Sequence, residues 1–327
     1  MIEKCSVGIV GGGPMGLFCA LALTSKTMGR PTLRGERVAI FDPGDPRKTA
    51  GMSASAFVDF DWTTSNRRLI RWQENSRDFY RAMLAMPGTA LQYGPIYVFR
   101  REARVLEPGE RHLAAHELPT GFPHGTWAET FRINPPVFLE WMRAELKRRG
   151  VRFVPLQVDN FAQVNGECGA KVIVNASGVG AQALCDDPQV FPVRGHCAVV
   201  RLRNAPQEVR LVAREQTWYV ASGPDECRVG GSSEENCWDL DPDPTAVKAM
   251  FQRLRPILPP EFDPDANQLA VSCGLRPGRH GGERLEAENQ GNFEVVHCYG
   301  SRGDGFTRGP GCAVEVRELV LARVTLD

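Results

Sequence analysis

No run of about eighteen uninterrupted apolar residues occurs in this 327-residue sequence, which argues against a membrane-spanning helix. Neither sign of charge is in excess. Thirty-nine Lys and Arg residues balance 39 Asp and Glu residues, so no general attraction to nucleic acid or an anionic membrane follows, and charge-driven recognition must be local. Ten cysteines are present, yet they are scattered singly and none forms the C-x-x-C spacing of zinc ribbons or redox motifs. Reduced, buried thiols in a cytoplasmic protein are expected, with no metal site. The opening MIEKCSVGIVGGGPMG lacks a basic leader and a small-residue cleavage site, and the ending VTLD is no peroxisomal address. There is no internal repeat and no low-complexity segment.

What is present is a chain with 42% hydrophobic residues, enough for a large core in one big domain or two interleaved ones. SVGIV, from Ser6 to Val10, reads as a fully buried strand. Gly11, Gly13 and Gly16 follow it in the pattern G-x-G-x-x-G, then LFCALALTS reads as a buried helix and RVAIF as a second strand ending at Asp42. In such a βαβ unit the first glycine allows a tight turn, the second admits a pyrophosphate close to the backbone, and the third lets helix pack on strand. The helix start offers unpaired amides to the phosphates. Asp42 can accept hydrogen bonds from both hydroxyls of an adenosine ribose. It lies beyond the usual twenty-residue spacing because TMGRPTLRGE lengthens the connection.

Further along, small residues (PGDPRKTAGMSASAF) precede a helical segment from about Thr64 to Met86. Residues 87–130, rich in Pro, Gly and charge, read as short strands and loops. Asn134 as N-cap, Pro135 and Pro136 in the first turn, and Gly150 as a stop mark a helix carrying Leu139, Met142 and Leu146 on one face. KVIVNASGVGAQAL reads as another buried strand turning into a helix. HCAVVRL, TWYVASG and CRVGGSS read as strands of an antiparallel sheet with one solvated face, and a helix is expected near Pro244–Leu254. The fold expected is α/β plus α+β: a Rossmann-type dinucleotide-binding domain from residues 1–60, 131–193 and 270–327, with an antiparallel β-sheet substrate domain from residues 61–130 and 194–269.

IVGGGPMGL, VIVNASGVGAQAL, PVRGHCAVV, WYVASG followed by VGG, GLRPGR, RLE and HCYGSRGDGFTRGPGCAVE stand in one collinear order. Together they resemble the D-amino-acid oxidase family of flavoproteins, near D-aspartate, glycine and sarcosine oxidases. The resemblance implies FAD as the dinucleotide. It places Gly11, Gly13, Pro14, Met15, Gly16 and the ribose carboxylate Asp42 on the cofactor, with Thr49, Ala50, Ser55 and Ala56 in the loop against the flavin. Val158 meets the adenine, and Ser177 and Gly178 lie beside the pyrophosphate and ribityl chain. Arg276 corresponds to the arginine that holds the substrate carboxylate, Tyr219 to a tyrosine on the same group, and the Gly303 carbonyl to the group orienting the substrate amine. Gly305, Phe306 and Thr307 open a helix whose amides face the reduced flavin.

A guanidinium fork matches a carboxylate and fixes the alpha carbon against the flavin, so orientation and the cofactor's electronics carry the reaction. The implied activity is oxidative deamination of a D-amino acid or related amine by hydride transfer to flavin. The products are an imine, then a 2-oxo acid, and peroxide from molecular oxygen. A flavin dehydrogenase using another acceptor, and a non-catalytic FAD- or NAD-binding protein, are the alternatives. His196, His280 and His297 read as structural or surface residues. The expected partners are a small amino-acid or amine substrate and oxygen, with no nucleic acid or membrane and with a homodimer left open. Three features depart from the family. Arg302 and Asp304 flank Gly303, Glu215 replaces a lid tyrosine, and SAS (Ser53–Ser55) replaces a glycine-bearing run. Arg302 would accept a second substrate carboxylate; Glu215 or Asp304 would attract a cationic side chain.

Overall fold

The computed structural model describes residues 3–25, 32–45, 49–258, 262–263 and 268–324. Much of the lengthened connection before Asp42, the 46–48 part of the loop after it, and the final three residues lie outside that set. The first sheet begins with β1 (Val7–Val10), followed through helix α1 (Pro14–Thr24) by β2 (Val38–Phe41). All four residues of each strand are buried, as a parallel strand covered on both faces requires. β7 (Arg152–Val154), β8 (Val172–Asn175), β15 (Arg284–Asn289) and β16 (Glu294–Tyr299) complete it in the order β15-β16-β8-β1-β2-β7. β8, β1, β2, β7 and β16 run parallel, and β15 returns antiparallel at the edge.

A second sheet takes β3 (Ala56–Phe57), β4 (Gln92–Arg100), β5 (Arg111–His112), β6 (His124–Ile133), β9 (Val190–Arg201), β10 (Val209–Val212), β11 (Thr217–Gly223), β12 (Glu226–Gly230), β13 (Glu234–Glu235) and β14 (Gln268–Arg279). Two expectations change here. β4 and β6 are long strands, paired from Gln92–Arg132 to Arg100–His124, rather than short pieces among loops. Residues 270–279, expected with the dinucleotide-binding segments, instead lie in the second sheet because β14 pairs along nearly the whole of β9.

Helices pack where the periodicity placed them. Helix α2 (Arg67–Met83) is capped by the Asn66 side chain, which accepts from the Arg68 and Leu69 amides. Helix α3 (Pro135–Arg148) begins after Asn134, but that side chain donates to the Ser222 carbonyl at 3.1 Å instead of capping the helix. Short helices α4 (Phe161–Cys168) and α5 (Ala181–Leu184) flank β8. Helix α6 (Pro244–Leu254) is capped by Asp243 and covers one face of the second sheet, where Val247, Met250, Phe251 and Leu254 join Tyr219, Ala221, Cys227 and Val229 in a core. Helix α7 (Gly305–Leu321) packs its apolar side with α1, α2 and β16 in the largest core. Among the described residues no helix is long and apolar enough to cross a membrane.

Candidate active site

A cavity of about 1170 Å³ runs from the carboxyl ends of β1, β2 and β8 to the second sheet. At its first end, Gly11 adopts φ +106°, and a Cβ there would overlap the Ala176 carbonyl. Gly16 presses α1 so closely on the turn that a Cβ would overlap the Gly11 carbonyl, the helix-packing role expected of it. Gly13 is different: a Cβ would meet nothing nearer than Thr49 at 3.7 Å. Gly178, at φ +62°, has nothing within 4 Å. Two bare backbone surfaces thus face open cavity at the start of α1 and after β8. Asp42, Pro14, Met15, Thr49, Ala50, Ser55, Ala56, Val158 and Ser177 line the same space. These bare surfaces, a helix N-terminus and a carboxylate at the next strand end fit an adenine dinucleotide.

Three residues here were not singled out from the sequence. Arg143 of α3 donates to the Gly12 carbonyl at 2.5 Å and to Asp42 Oδ2 at 3.1 Å, fixing that carboxylate. Gly12 must be glycine because a Cβ would overlap the Asp42 carboxylate. Asn175, fully buried, accepts from the Ser177 hydroxyl at 2.6 Å and its amide at 3.2 Å, which sets the turn leading to Gly178. The middle G of a GGG run was the available signal for Gly12. An arginine 101 residues from its carboxylate partner leaves none.

The other end is built on β9, β11, β14 and the loop entering α7. Arg276 of β14 lies over Gly195 of β9, where a Cβ would overlap the guanidinium. Its Nη1 donates to the Ser232 carbonyl at 2.9 Å, and no carboxylate pairs with it among the described residues. Burial lowers its pKa, opposed by Cys197 and reinforced by the neighbouring Arg302 cation. Arginine keeps its charge regardless, so the group is a cation in want of an anion. Ser232 also holds His196: the hydroxyl contacts Nδ1 at 2.6 Å, while the Asp243 amide donates to Nε2 at 3.0 Å. Both ring nitrogens are engaged, and burial pushes the imidazole pKa down, so His196 stands neutral as a structural residue. His297 is bonded on both sides by Asn175 at 3.3 Å and Glu288 at 3.2 Å.

Tyr219 does not contact this cavity. It is fully buried in the core beneath α6, its hydroxyl donating to the Pro206 carbonyl at 3.0 Å. Strand alternation sends its neighbour Trp218 to the cavity side instead. Trp218 packs edge-on against Phe57 at 5.9 Å, and its indole Nε1 is shielded from water with no hydrogen-bond partner among the described residues. The second sheet's other face therefore meets the cavity rather than bulk solvent. The SAS departure also has a structural role: Ser53 Oγ donates to the Cys273 carbonyl at 2.9 Å and Ser55 Oγ contacts Cys197 Sγ at 3.0 Å, tying the loop to β14 and β9.

Ser301, Arg302, Gly303, Asp304, Gly305, Phe306 and Thr307 form the remaining wall. The first intrahelical bond of α7 runs from the Arg308 amide to the Asp304 carbonyl at 2.8 Å. The amides of Gly305, Phe306 and Thr307 are thus left for another acceptor at the positive end of a 17-residue helix. Arg302 has φ +52° and gives its guanidinium to Glu235, so its charge is already engaged.

A strand-glycine-helix cradle and an arginine with no carboxylate partner among the described residues open on one cavity, an arrangement that fits a dinucleotide-dependent protein with a small-molecule substrate. The family model described as FAD dependent oxidoreductase matches residues 6–319, and the chain belongs to that family. It is 31% identical to a D-amino-acid oxidase of Rubrobacter xylanophilus, covering 97% of this chain and 96% of that protein. It is 28% identical to a D-amino acid oxidase of Dugesia ryukyuensis over 96% and 97% of the two chains. Among solved structures, glycine oxidase from Geobacillus kaustophilus superposes with a TM-score of 0.80 at 17% identity, covering 100% of this chain and 97% of the other. The protein is an FAD-dependent oxidoreductase, and the resemblance read from the motifs holds along most of its length.

Proposed function

We propose that the protein oxidises a D-amino acid, or a closely related amino acid or amine, to its imine, with molecular oxygen as the final acceptor and hydrogen peroxide as co-product. The observation that carries this reading is Arg276: a half-buried cation with no carboxylate partner among the described residues, facing the cavity that the cofactor cradle opens into. FAD is held by Gly11, Gly13, Pro14, Met15, Asp42, Thr49, Ala50, Ser55, Ala56, Val158, Ser177 and Gly178, with the amides of Gly305, Phe306 and Thr307 at the flavin end. When bound, it accepts the electron pair that leaves the substrate's alpha carbon with its hydrogen.

The chain's own groups orient the substrate. Arg276 receives the carboxylate in a charge-assisted, forked hydrogen bond. Trp218, whose ring lines this end of the cavity where a tyrosine was expected, bounds the space beside that carboxylate. The Gly303 carbonyl accepts from the amine, which aligns the breaking C–H bond. No side chain need remove a proton from carbon, because hydrogen and electron pair leave together. The neutral, doubly bonded His196 is consistent with that.

The test is oxidation of a panel of D-amino acids, glycine and sarcosine by the FAD-loaded protein, followed both as peroxide release and as dye reduction. Arg276→Ala is expected to lower kcat/KM for carboxylate substrates by about a hundredfold or more, equivalent to about 3 kcal/mol, while flavin content stays intact. Equal rates in wild type and variant would refute the pose, and dye reduction without peroxide would replace the oxidase by a dehydrogenase.

A further inference from the structure

Beyond Arg276, the cavity wall carries Asp59, Glu215 and Asp304 facing Arg100 and Arg302. The pairing of these groups decides which charge the space accepts. Arg302, the residue able to receive a second carboxylate, is joined to Glu235. Asp304 is bridged to Arg308 at 2.5 Å. Among the described residues Glu215 meets a single cation, Arg101, at the long distance of 3.8 Å, and its side chain lines the cavity. Asp59 is freer still: among the described residues no hydrogen bond or ion pair reaches its carboxylate.

The backbone holds Asp59 in this place. β3 buries Ala56, and Val58 after it joins the main core, while Phe57 and Asp59 line the cavity. The Asp59 amide donates to Thr307 Oγ1 at 3.4 Å, which fixes it beside the start of α7. The side chain lies deep in the protein and is exposed to the cavity. The charged groups around it are Asp304, Glu107, Arg100 and Arg104, and the two carboxylates act on it more strongly than the two arginines. Arg104 is itself engaged by Glu107, at 2.8 Å, and by Glu110. Among the described residues, and apart from Arg276, the wall thus presents two carboxylates without strong partners against one cation, Arg100, that no carboxylate bonds.

Resting on the oxidation of an amino acid proposed above, we infer that the preferred substrate carries a second cationic group, an amine or guanidinium on its side chain, received by Asp59 and Glu215 while Arg276 holds the alpha carboxylate. A cationic side chain in this cavity is attracted by the charges of both Asp59 and Glu215; a second carboxylate meets both as repulsion.

The experiment compares D-ornithine, D-lysine and D-arginine with D-norleucine, D-methionine and D-glutamate on the FAD-loaded protein, by dye reduction so that the identity of the natural acceptor does not enter. The expected result is a kcat/KM for the best cationic substrate at least about tenfold above that for D-norleucine, with D-glutamate lowest. In Asp59→Asn, and independently in Glu215→Gln, that ratio falls at least about fivefold, mainly through KM of the cationic substrate, with flavin content reporting that each variant is folded. A wild-type ratio near one, a preference for D-glutamate, or a ratio that neither variant lowers overturns the inference and leaves amino-acid oxidation standing. Failure of every amino acid to reduce the enzyme removes the amino-acid reading itself, and this inference with it.

Discussion

Burial, with Asp304 and Glu107 nearby, raises the Asp59 carboxyl from about 3.8 to about 6. A carboxyl whose folded value exceeds its unfolded value binds more protons in the folded state, so its ionisation weakens the fold as pH rises from about 4 through about 6. Asp59→Asn removes that burden above pH 6. Because the side chain opens on a solvent-accessible cavity, screening reduces the gain to about 1 kcal/mol, roughly 2 °C in Tm. Thermal scans at pH 7.5 and pH 4 are expected to show the variant more stable at the higher pH, with the difference gone at the lower. The same titration has the opposite consequence for turnover. Protonation below about pH 6 takes away the anion that receives a cationic side chain, so kcat/KM for D-lysine falls on the acid side while that for D-norleucine lacks this limb. A residue that costs stability when charged, and whose carboxylate has no partner among the described residues, is better explained by a ligand than by packing. A lower Tm for Asp59→Asn at pH 7.5 would point instead to a structural role.

Helix α7 presents Gly305, Phe306 and Thr307 to the cavity, and its position depends on close approach to α2. A Cβ on Gly311 would overlap the Trp72 backbone carbonyl, which cannot swing aside as a side chain can. The Gly311 amide donates to Ser76 Oγ at 3.0 Å, and Tyr80 OH donates to the Phe306 carbonyl at 2.6 Å. Gly311→Ala is therefore expected to destabilise by about 3 kcal/mol through displacement of α7, and to weaken FAD retention with it. Urea unfolding and flavin content after gel filtration measure the two effects. Elements of this kind were legible in the sequence where the signals are local. The G-x-G-x-x-G turn sits between a strand and a helix, and α6 spans Pro244–Leu254 as its proline start indicates. The parity of β11 was not legible. Thr217, Tyr219 and Val220 are all buried, so hydrophobicity does not distinguish the cavity face, which carries Trp218, from the core face, which carries Tyr219. β4 was obscured by Gly94 and Pro95 within it, and only its pairing with β6 and β10 makes it a strand. Arg143 on Asp42, and Gly195 under Arg276, arise from tertiary contacts with no local period to announce them.

At the scale of the molecule, the two sheets meet along the cavity. Ser53 to β14, Ser55 to β9, and Arg228 to the Ala54 carbonyl at 3.3 Å join the flavin-loop segment to the second sheet. A ligand spanning the cavity from Asp42 to the start of α7 touches elements of both halves, so its binding energy adds to the stability of their association. For a ligand that binds only the folded chain, saturation at a hundred times Kd contributes about 2.7 kcal/mol, roughly 5 °C in Tm for a chain of this size. Apoprotein titrated with FAD is thus expected to show Tm rising with the logarithm of FAD concentration once the site is filled. Replacing Gly13 with Val would fill the bare surface that faces the cavity and is expected to abolish most of that slope, while leaving the Tm of the apoprotein within about 2 °C of wild type because no protein atom lies within 3.7 Å of the new Cβ. An unchanged slope in this variant would show that the dinucleotide does not use the β1–α1 turn. A Tm that falls equally with and without FAD would mean that Gly13 serves the fold rather than the cofactor.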